Sequence, residues 1–307
     1  MNPFFSIIMP TYNRGHILPG SIQSVINQDF TEWELVVVDD GSTDNTKEVI
    51  ENFSQNDNRI RYLYQSNQER SAARNNGIKN ANGKYICFLD SDDEYQQHHL
   101  TTFFDEIKIK NNSRALFFTS LIIYNNGKDI EHPIQQLKNN ESIYNYLFTE
   151  SIYPCRVCIE RSILNEFQFR LDCVIVEDTI LWLEIASKHP IFQIVEKTVN
   201  YFQHEENSVN KKFNPCKKML LGIDSLKKNN YKVYSKISRK FRVKIKSGLY
   251  YGVGFSNIIN GNRFLALFYM IKSLILNINN IQSKHKILLI FKLLTFKRLS
   301  IIKNSIQ

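Results

Sequence analysis

Four short apolar runs alternate with stretches of helical periodicity in the first 95 residues, and this alternation limits the possible folds more than any other feature. "FSIIM", "ELVVV" (34–38), "IRYLY" and "KYICFL" have the length and the β-branched or aromatic content of strands. "ELVVV" is continuous rather than alternating, as expected for a strand covered on both faces. Between the runs, Leu18, Ile22, Val25 and Ile26 recur at helical spacing. "GSTDNT", rich in capping residues, leads into Val49, Ile50 and Phe53 on one helical face. "RSAARNNGIKNANG" reads as a helix closing on a glycine-containing stop. Strands separated by helices require right-handed parallel crossovers in an open sheet, so the pattern predicts an α/β fold.

From about 115 to 204 the pattern loosens. "ALFFTSLIIY", "IFQIV" and "TVNYFQ" read as strands and "NNG" as a turn. "EDTILWLEIASKHP" reads as a helix with acids in its first turn and a Lys-His-Pro stop. Beyond 210 the chain becomes basic: residues 211–307 hold 21 Lys and Arg against one acid, Asp224, whereas residues 1–210 hold 18 against 29. Such asymmetry marks two regions with different partners. Nucleic acid is not expected, since no nucleic-acid motif is present and the apolar content of the basic region is too high. "NRFLALFYMIKSLILNI" and "HKILLIFKLLTFKRLSII" mix Leu, Ile and Phe with cations at amphipathic spacings. They fit either a packed helical appendage or helices resting on an anionic membrane surface. No run approaches the roughly 18 to 20 apolar residues of a spanning helix, and "MNPFFSIIMPTYNR" lacks the basic start of a signal peptide. The five cysteines are odd in number and Cys155-x-x-Cys158 has no second pair, which reads as structural thiols in a reducing compartment.

In open α/β sheets, ligands bind beyond the carboxyl ends of the strands. Three of those ends are polar here, "PTYNR", "DDGSTD" and "DSDD", and they should converge on one crevice. The packing of Asp90, Asp92 and Asp93 into four positions calls for a metal ion, a polyhydroxylated ligand or an exposed turn. Hard oxygen donors at i and i+2 suit Mg2+ or Mn2+, whose shell substrate phosphates commonly complete. A calcium-loop reading of "DDGSTDNTKEVIE" is opposed by Asn45 at the obligatory glycine position and by the strand that precedes the loop. In the adjacent pair Asp39-Asp40, one carboxylate at a strand end can accept a hydrogen bond from a base or ribose.

"SIIMPTYNR", "ELVVVDDGSTDNT", "SAARNNGI", "YICFLDSDD", "VEDTILWLEI" and "YFQHEENS" occur in that order and together resemble the family 2 glycosyltransferases, over roughly residues 4–210. That resemblance implies a GT-A (Rossmann-like) fold with a mixed, mainly parallel sheet flanked by helices, followed by a basic helical C-terminal region. It implies a domain over 1–210, with a nucleotide-binding half at about 1–95 and an acceptor and catalytic half at 96–210; residues 211–307 form the basic amphipathic region. By resemblance, Pro10, Thr11 and Tyr12 contact the nucleotide, Asp40 accepts from a uracil, and Arg74 lies near the nucleotide and phosphates. Asp90 is directed at the ribose, Asp92 and His204 at a Mn2+ or Mg2+ ion, and Asp178 is the general base. The position of Asp178 at a helix start suggests that the helix dipole keeps it ionised, with Glu177 engaged in a structural contact. One departure is "SNQERSAARN", where many family members have a glycine soon after the Asn.

The implied activity is inverting transfer of a hexosyl group from a UDP-type sugar to a glycan or lipid-linked glycan acceptor, in bacterial surface polysaccharide synthesis. The expected location is the cytoplasm, peripheral on the inner face of the cell membrane. A sugar nucleotidyltransferase shares the layout but needs a glycine-rich loop and Lys after the first strand, which "PTYNRG" does not supply. A non-catalytic adaptor that binds a nucleotide sugar is the remaining alternative.

Overall fold

The computed structural model describes residues 3–125, 128–130, 135–138, 141–150, 152–173, 175–203 and 215–277, with 287 and 290. The chain divides into two compact units, Met1–Leu171 with Glu177–Asn207, and Asp172–Val176 with Ser208–Gln307.

The first unit is built on one mixed sheet. Its strands are β1 (Phe5–Thr11), β2 (Trp33–Asp39), β3 (Ile60–Tyr64), β4 (Tyr85–Phe88), β5 (Glu94–Tyr95), β6 (Leu116–Asn125), β7 (Lys128–Ile130), β8 (Val157–Glu160) and β9 (Ile191–Gln203). They run in the order β3-β2-β1-β4-β8-β6-β9-β5, with β7 paired to β6. The ladders among β1 to β4 and between β6 and β9 are parallel, while β8 and β5 join antiparallel. The helices of this unit are α1 (Leu18–Ile26), α2 (Thr46–Asn56), α3 (Glu69–Asn80), α4 (His99–Ile109), α5 (Ile143–Thr149) and α6 (Glu177–Ile185).

Both β1 and β2 are buried along their whole length, which explains the unbroken apolar run at 35–38. Phe5, Ile7, Met9, Leu35 and Val37 face one way, into a core completed by Leu18, Ile22 and Val25 of α1 and Ile50 of α2. Ile8 and Val38 face the other way, against α3. A Cβ on Gly77 would lie 2.4 Å from Ile8 Cγ2, so the missing side chain lets α3 close on the sheet. The runs "IFQIV" and "TVNYFQ" form one strand rather than two, because a register irregularity between Phe118 and Leu121 of β6 absorbs the break in the pattern.

In the second unit, residues 215–277 form four helices: α7 (Pro215–Asn229), α8 (Tyr231–Lys236), α9 (Arg239–Ile259) and α10 (Arg263–Leu276). Ile258 of α9 packs on Ala266 and Met270 of α10. Ser247 Oγ donates to the Ser273 carbonyl at 2.8 Å and Ser273 Oγ returns a bond to the Ser247 carbonyl at 2.6 Å, locking the two helices in register.

Candidate active site

The carboxyl ends of β1, β2 and β4 meet, and short polar loops leave each of them. The β1 loop is stitched to the β2 loop through backbone donors: Asn13 N–H to Ser42 Oγ at 2.9 Å, Arg14 N–H to Thr46 Oγ1 at 3.0 Å, and Gly15 N–H to Asp44 Oδ2 at 3.1 Å. Gly41 turns the β2 loop at φ +84°, a conformation that side chains disfavour. Asp44, not Asn45, accepts from the first-turn amide of α2, at 3.0 Å from Thr46 N. Pro10 and Thr11 are buried at the end of β1, while the Tyr12 ring beyond them is 48% exposed.

The structure gives Asp39 and Asp40 different work. Asp39 turns inward to shape its own loop, accepting from Ser42 N–H at 2.8 Å and from the Tyr62 hydroxyl at 2.9 Å. Asp40 bridges strand ends: its N–H donates to the Thr11 carbonyl at 2.9 Å, and its Oδ1 accepts from Gln65 Nε2 at 2.7 Å and Gln68 N–H at 2.9 Å. Of the acids in the calcium-loop reading, Asp40 is engaged by Gln65 and Gln68, and Asp44 by Gly15 and Thr46.

"DSDD" forms a tight turn closed by Asp93 N–H donating to the Asp90 carbonyl at 3.1 Å. Its three acids diverge. Asp90 is partly exposed and pairs with Arg74 Nη2 at 2.7 Å. Asp92 is partly exposed and lies 3.8 Å from Arg14 Nη2. Asp93 is buried; its Oδ1 accepts from Phe202 N–H at 3.2 Å, and the Cys155 thiol donates to the same carboxyl. Burial first, then the charges of Asp90 and Asp92, push the Asp93 carboxyl well above the ordinary range, towards its neutral form.

Arg74 does not face solvent. It is 3% exposed, clasped between Asp90 and Glu177 Oε1 at 3.3 Å, with its guanidinium 5.3 Å from the Phe169 ring centre. Arg70, one helical turn earlier, reaches the same Glu177 oxygen at 2.6 Å. The chain Asp90–Arg74–Glu177–Arg70 therefore ties the β4 turn to the first turn of α6, where Asp178 follows Glu177. Glu177 makes the structural contact expected of it.

Asp178 departs from the sequence-based expectation of a carboxylate kept ionised by its helix. It is partly buried and accepts one bond, from Thr179 N–H at 2.6 Å. Burial, and then the adjacent Glu177 charge, push it up to about 7, against the opposing pull of the Thr179 amide, Arg74 and Arg70. Desolvation and a like charge outweigh the helix start. A group poised there can take a proton near neutral pH.

Pro10, Thr11, Tyr12, Asp40, Arg74, Asp90, Asp92 and Asp178 thus fall at one end of one sheet; His204 lies outside the described residues. The sequence reading missed Arg70 and Arg14. Arg70 carried a signal, since it stands four residues before Arg74 on one helix face. Trp182 is core, donating through Nε1 to the Ile152 carbonyl at 2.9 Å. Cys87, Cys155, Cys158 and Cys173 are buried free thiols.

Among the described residues no three His, Cys, Asp or Glu side chains form a metal cage. The partly exposed Asp92 is the kind of oxygen donor that would suit a hard divalent ion held by one or two carboxylates plus substrate phosphates.

The model of the family described as glycosyl transferase family 2 matches residues 6–166. An Escherichia coli protein, UDP-Glc:alpha-D-GlcNAc-diphosphoundecaprenol beta-1,3-glucosyltransferase WfgD, is 37% identical over 191 residues, covering 62% of this chain and 72% of that protein. A Campylobacter jejuni protein, GalNAc(5)-diNAcBac-PP-undecaprenol beta-1,3-glucosyltransferase, is 41% identical over 102 residues, 33% of each chain. An uncharacterized glycosyltransferase of Rickettsia conorii is 34% identical over 197 residues, and the chain spans only 30% of its length. Among solved structures, Staphylococcus aureus TarS 1–349 in complex with UDP-GlcNAc matches at a TM-score of 0.63 and 17% identity, covering 88% of this chain and 90% of that one. The mannosyltransferase PcManGT from Pyrobaculum calidifontis, in complex with GDP-Man and Mn2+, matches at 0.59 and 14% identity, covering 99% and 84%. At such low identities the likeness shows the fold alone, a GT-A sheet with flanking helices.

Proposed function

The chain belongs to glycosyl transferase family 2 and is an enzyme that transfers sugars, and from that premise we propose that it moves a hexosyl group, with inversion, from a UDP-type donor to a lipid-linked glycan at an anionic membrane surface. Family membership sets aside the nucleotidyltransferase and adaptor readings. The observation that carries the proposal is Asp178: a carboxyl pushed up to about 7, joined through Glu177 and Arg74 to the Asp90 turn.

In this reading the nucleotide half is 1–95, the acceptor half 96–210, and 211–307 a separate basic region. Tyr12 offers its exposed ring to the base, and Asp40 accepts from the uracil beside the buried Pro10 and Thr11. Asp90, oriented by Arg74, takes the ribose hydroxyls. Asp92, with Asp90 beside it and His204 from the following segment, would hold Mn2+ or Mg2+, whose charge offsets that of the departing diphosphate. Asp178 takes the proton of the acceptor hydroxyl as that oxygen bonds to the sugar's anomeric carbon and the bond to the diphosphate breaks. Displacement from the opposite face inverts the configuration. The diphosphoundecaprenol acceptors named for the E. coli and C. jejuni relatives support a lipid-linked acceptor, in bacterial surface polysaccharide synthesis on the inner face of the membrane.

A donor screen that follows UDP release, with and without undecaprenyl-diphosphate glycans, tests this reading. Proton NMR of the product should show the anomeric configuration opposite to that of the donor. Retention, or a strict preference for GDP donors, would overturn it.

A further inference from the structure

Helix α10 carries a surface that sugar transfer does not use. It buries Ala266, Met270 and Ser273 within its own unit and turns large apolar side chains outward. Phe264 is 89% exposed and Ile275 74%, and Leu265, Phe268, Ile271 and Leu276 are exposed as well. Phe264, Phe268, Ile271 and Ile275 stand at i, i+4, i+7 and i+11, one stripe along the full helix. Folded proteins rarely leave such a stripe to water. The cation within it, Lys272, lays its ammonium 4.3 Å from the Phe268 ring centre and 5.5 Å from that of Tyr250, so its stem covers apolar surface while its head stays at the edge.

Charge identifies what covers the stripe. Beside Asn277, the residue that ends α10, a hollow of about 560 Å3 is lined by Arg239, Lys240, Val243 and Lys244. Residues 215–277 hold 13 Lys and Arg against the single acid Asp224. A second copy docking through the same face would set these cations against one another. An anionic surface would neutralise them. At 14 residues α10 is about 21 Å long, too short to span a bilayer, and no described helix is long and apolar enough to cross one.

We propose that α10 lies flat on an anionic phospholipid bilayer, with its Phe264–Ile275 stripe at the acyl boundary and the Arg239–Lys240–Lys244 hollow taking a lipid phosphate. The inference rests on the membrane-surface part of the reading above and supplies the face through which it acts. Apolar burial and cation attraction act together, as in interfacial helices generally.

The test uses the full chain with phosphatidylglycerol-containing vesicles, phosphatidylcholine vesicles and free inorganic phosphate. Trp33 and Trp182 are buried, so a Phe268→Trp variant reports on the stripe. Its emission should shift to the blue with phosphatidylglycerol vesicles only, and brominated acyl chains should quench it. Phe264→Ser with Phe268→Ser should weaken vesicle partitioning by at least about tenfold. Lys240→Glu with Lys244→Glu should weaken it and flatten its salt dependence. UDP affinity, measured by calorimetry on the same variants, should not change. Vesicle binding by a chain that releases no UDP would support this inference and overturn the transfer reading. An unshifted Phe268→Trp spectrum overturns the inference. So does a dimer, seen by sedimentation, that the Phe264→Ser and Phe268→Ser pair dissolves.

Discussion

At the amino ends of β1 and β2 sits a buried acid, Glu34, and at the carboxyl end of β4 sits another, Asp93; their surroundings shift the two in opposite directions. Burial opposes the charge of Glu34, yet it falls below the ordinary glutamate range because its oxygens accept from Ser6 Oγ at 2.6 Å, Asn82 N–H at 2.6 Å, Asn82 Nδ2 at 3.0 Å and Arg61 Nη1 at 2.8 Å. Asp93 has one amide, the Cys155 thiol and two neighbouring carboxylates, and burial with those charges raises it instead. Asp178 follows the same rule as Asp93. The closed end of the sheet satisfies its acid completely and is stable for it. The open end buries Asp93 and Asp178 beside like charges, which costs stability and suits a site that handles protons and ligands.

The sharpest way to break this comparison is at the open end. Asp178→Asn keeps the shape and removes the base, so turnover should fall by more than about 10²-fold while UDP-sugar affinity by calorimetry stays near that of the parent. Near-normal turnover would remove Asp178 from the chemistry. The acid limb of kcat/KM should lie near pH 7 in the parent, since the proton must be off for the base to act.

The converse holds at the closed end. Glu34→Gln should lower folding stability by about 1–3 kcal/mol, through buried donors left unsatisfied, and leave kcat alone. The contribution of Glu34 is full above the ordinary glutamate value of 4.5 and is lost as pH falls through its depressed folded value. Denaturant melts at pH 7 and pH 3 would show the gap between parent and variant closing at acid pH.

Stability should move the other way at Asp178. Between the ordinary aspartate value of 3.8 and about 7, the unfolded chain ionises this group while the folded chain keeps the proton, so stability falls as pH rises through that window. Asp178→Asn removes that slope and should stabilise the protein at pH 8 by about 0.5–2 kcal/mol. A variant less stable than the parent at pH 8 would show that the open end carries no such cost.

The smallest effect concerns Glu69, which sits at φ +70°, a backbone conformation that glycine adopts without strain. A non-glycine residue there costs about 1–2 kcal/mol, partly offset by the chain entropy of glycine. Glu69→Gly should therefore raise stability by a few tenths of a kcal/mol to about 1 kcal/mol in thermal melts.

Much of this was legible in the chain. β3 spans "IRYLY" as read, and β1, β2 and β4 differ from their apolar runs by one or two residues at an end. Burial on both faces requires unbroken apolar runs, and such runs are local. The polar strand ends pointed to the crevice because side chains of that kind have no place in a sheet interior. Less was legible where partners come from afar. The burial of Arg74 depends on Asp90, 16 residues away, and Glu177, 103 residues away. The choice between Asp39 and Asp40 depends on Tyr62, Gln65 and Gln68.

The sequence by itself determined the α/β alternation, the family, the positions of the acids and the cationic balance of the last hundred residues, all of which are properties of neighbours along the chain. Only the tertiary structure decided which acids are raised and which are lowered. A carboxyl's charge state depends on how much water it loses and which charges surround it, and for Asp178 those surroundings are assembled from α3 and α6 together. The exposed stripe on α10 divides in the same way: its spacing was written in the sequence, but that it faces outward followed from Ala266, Met270 and Ser273 taking the inner side.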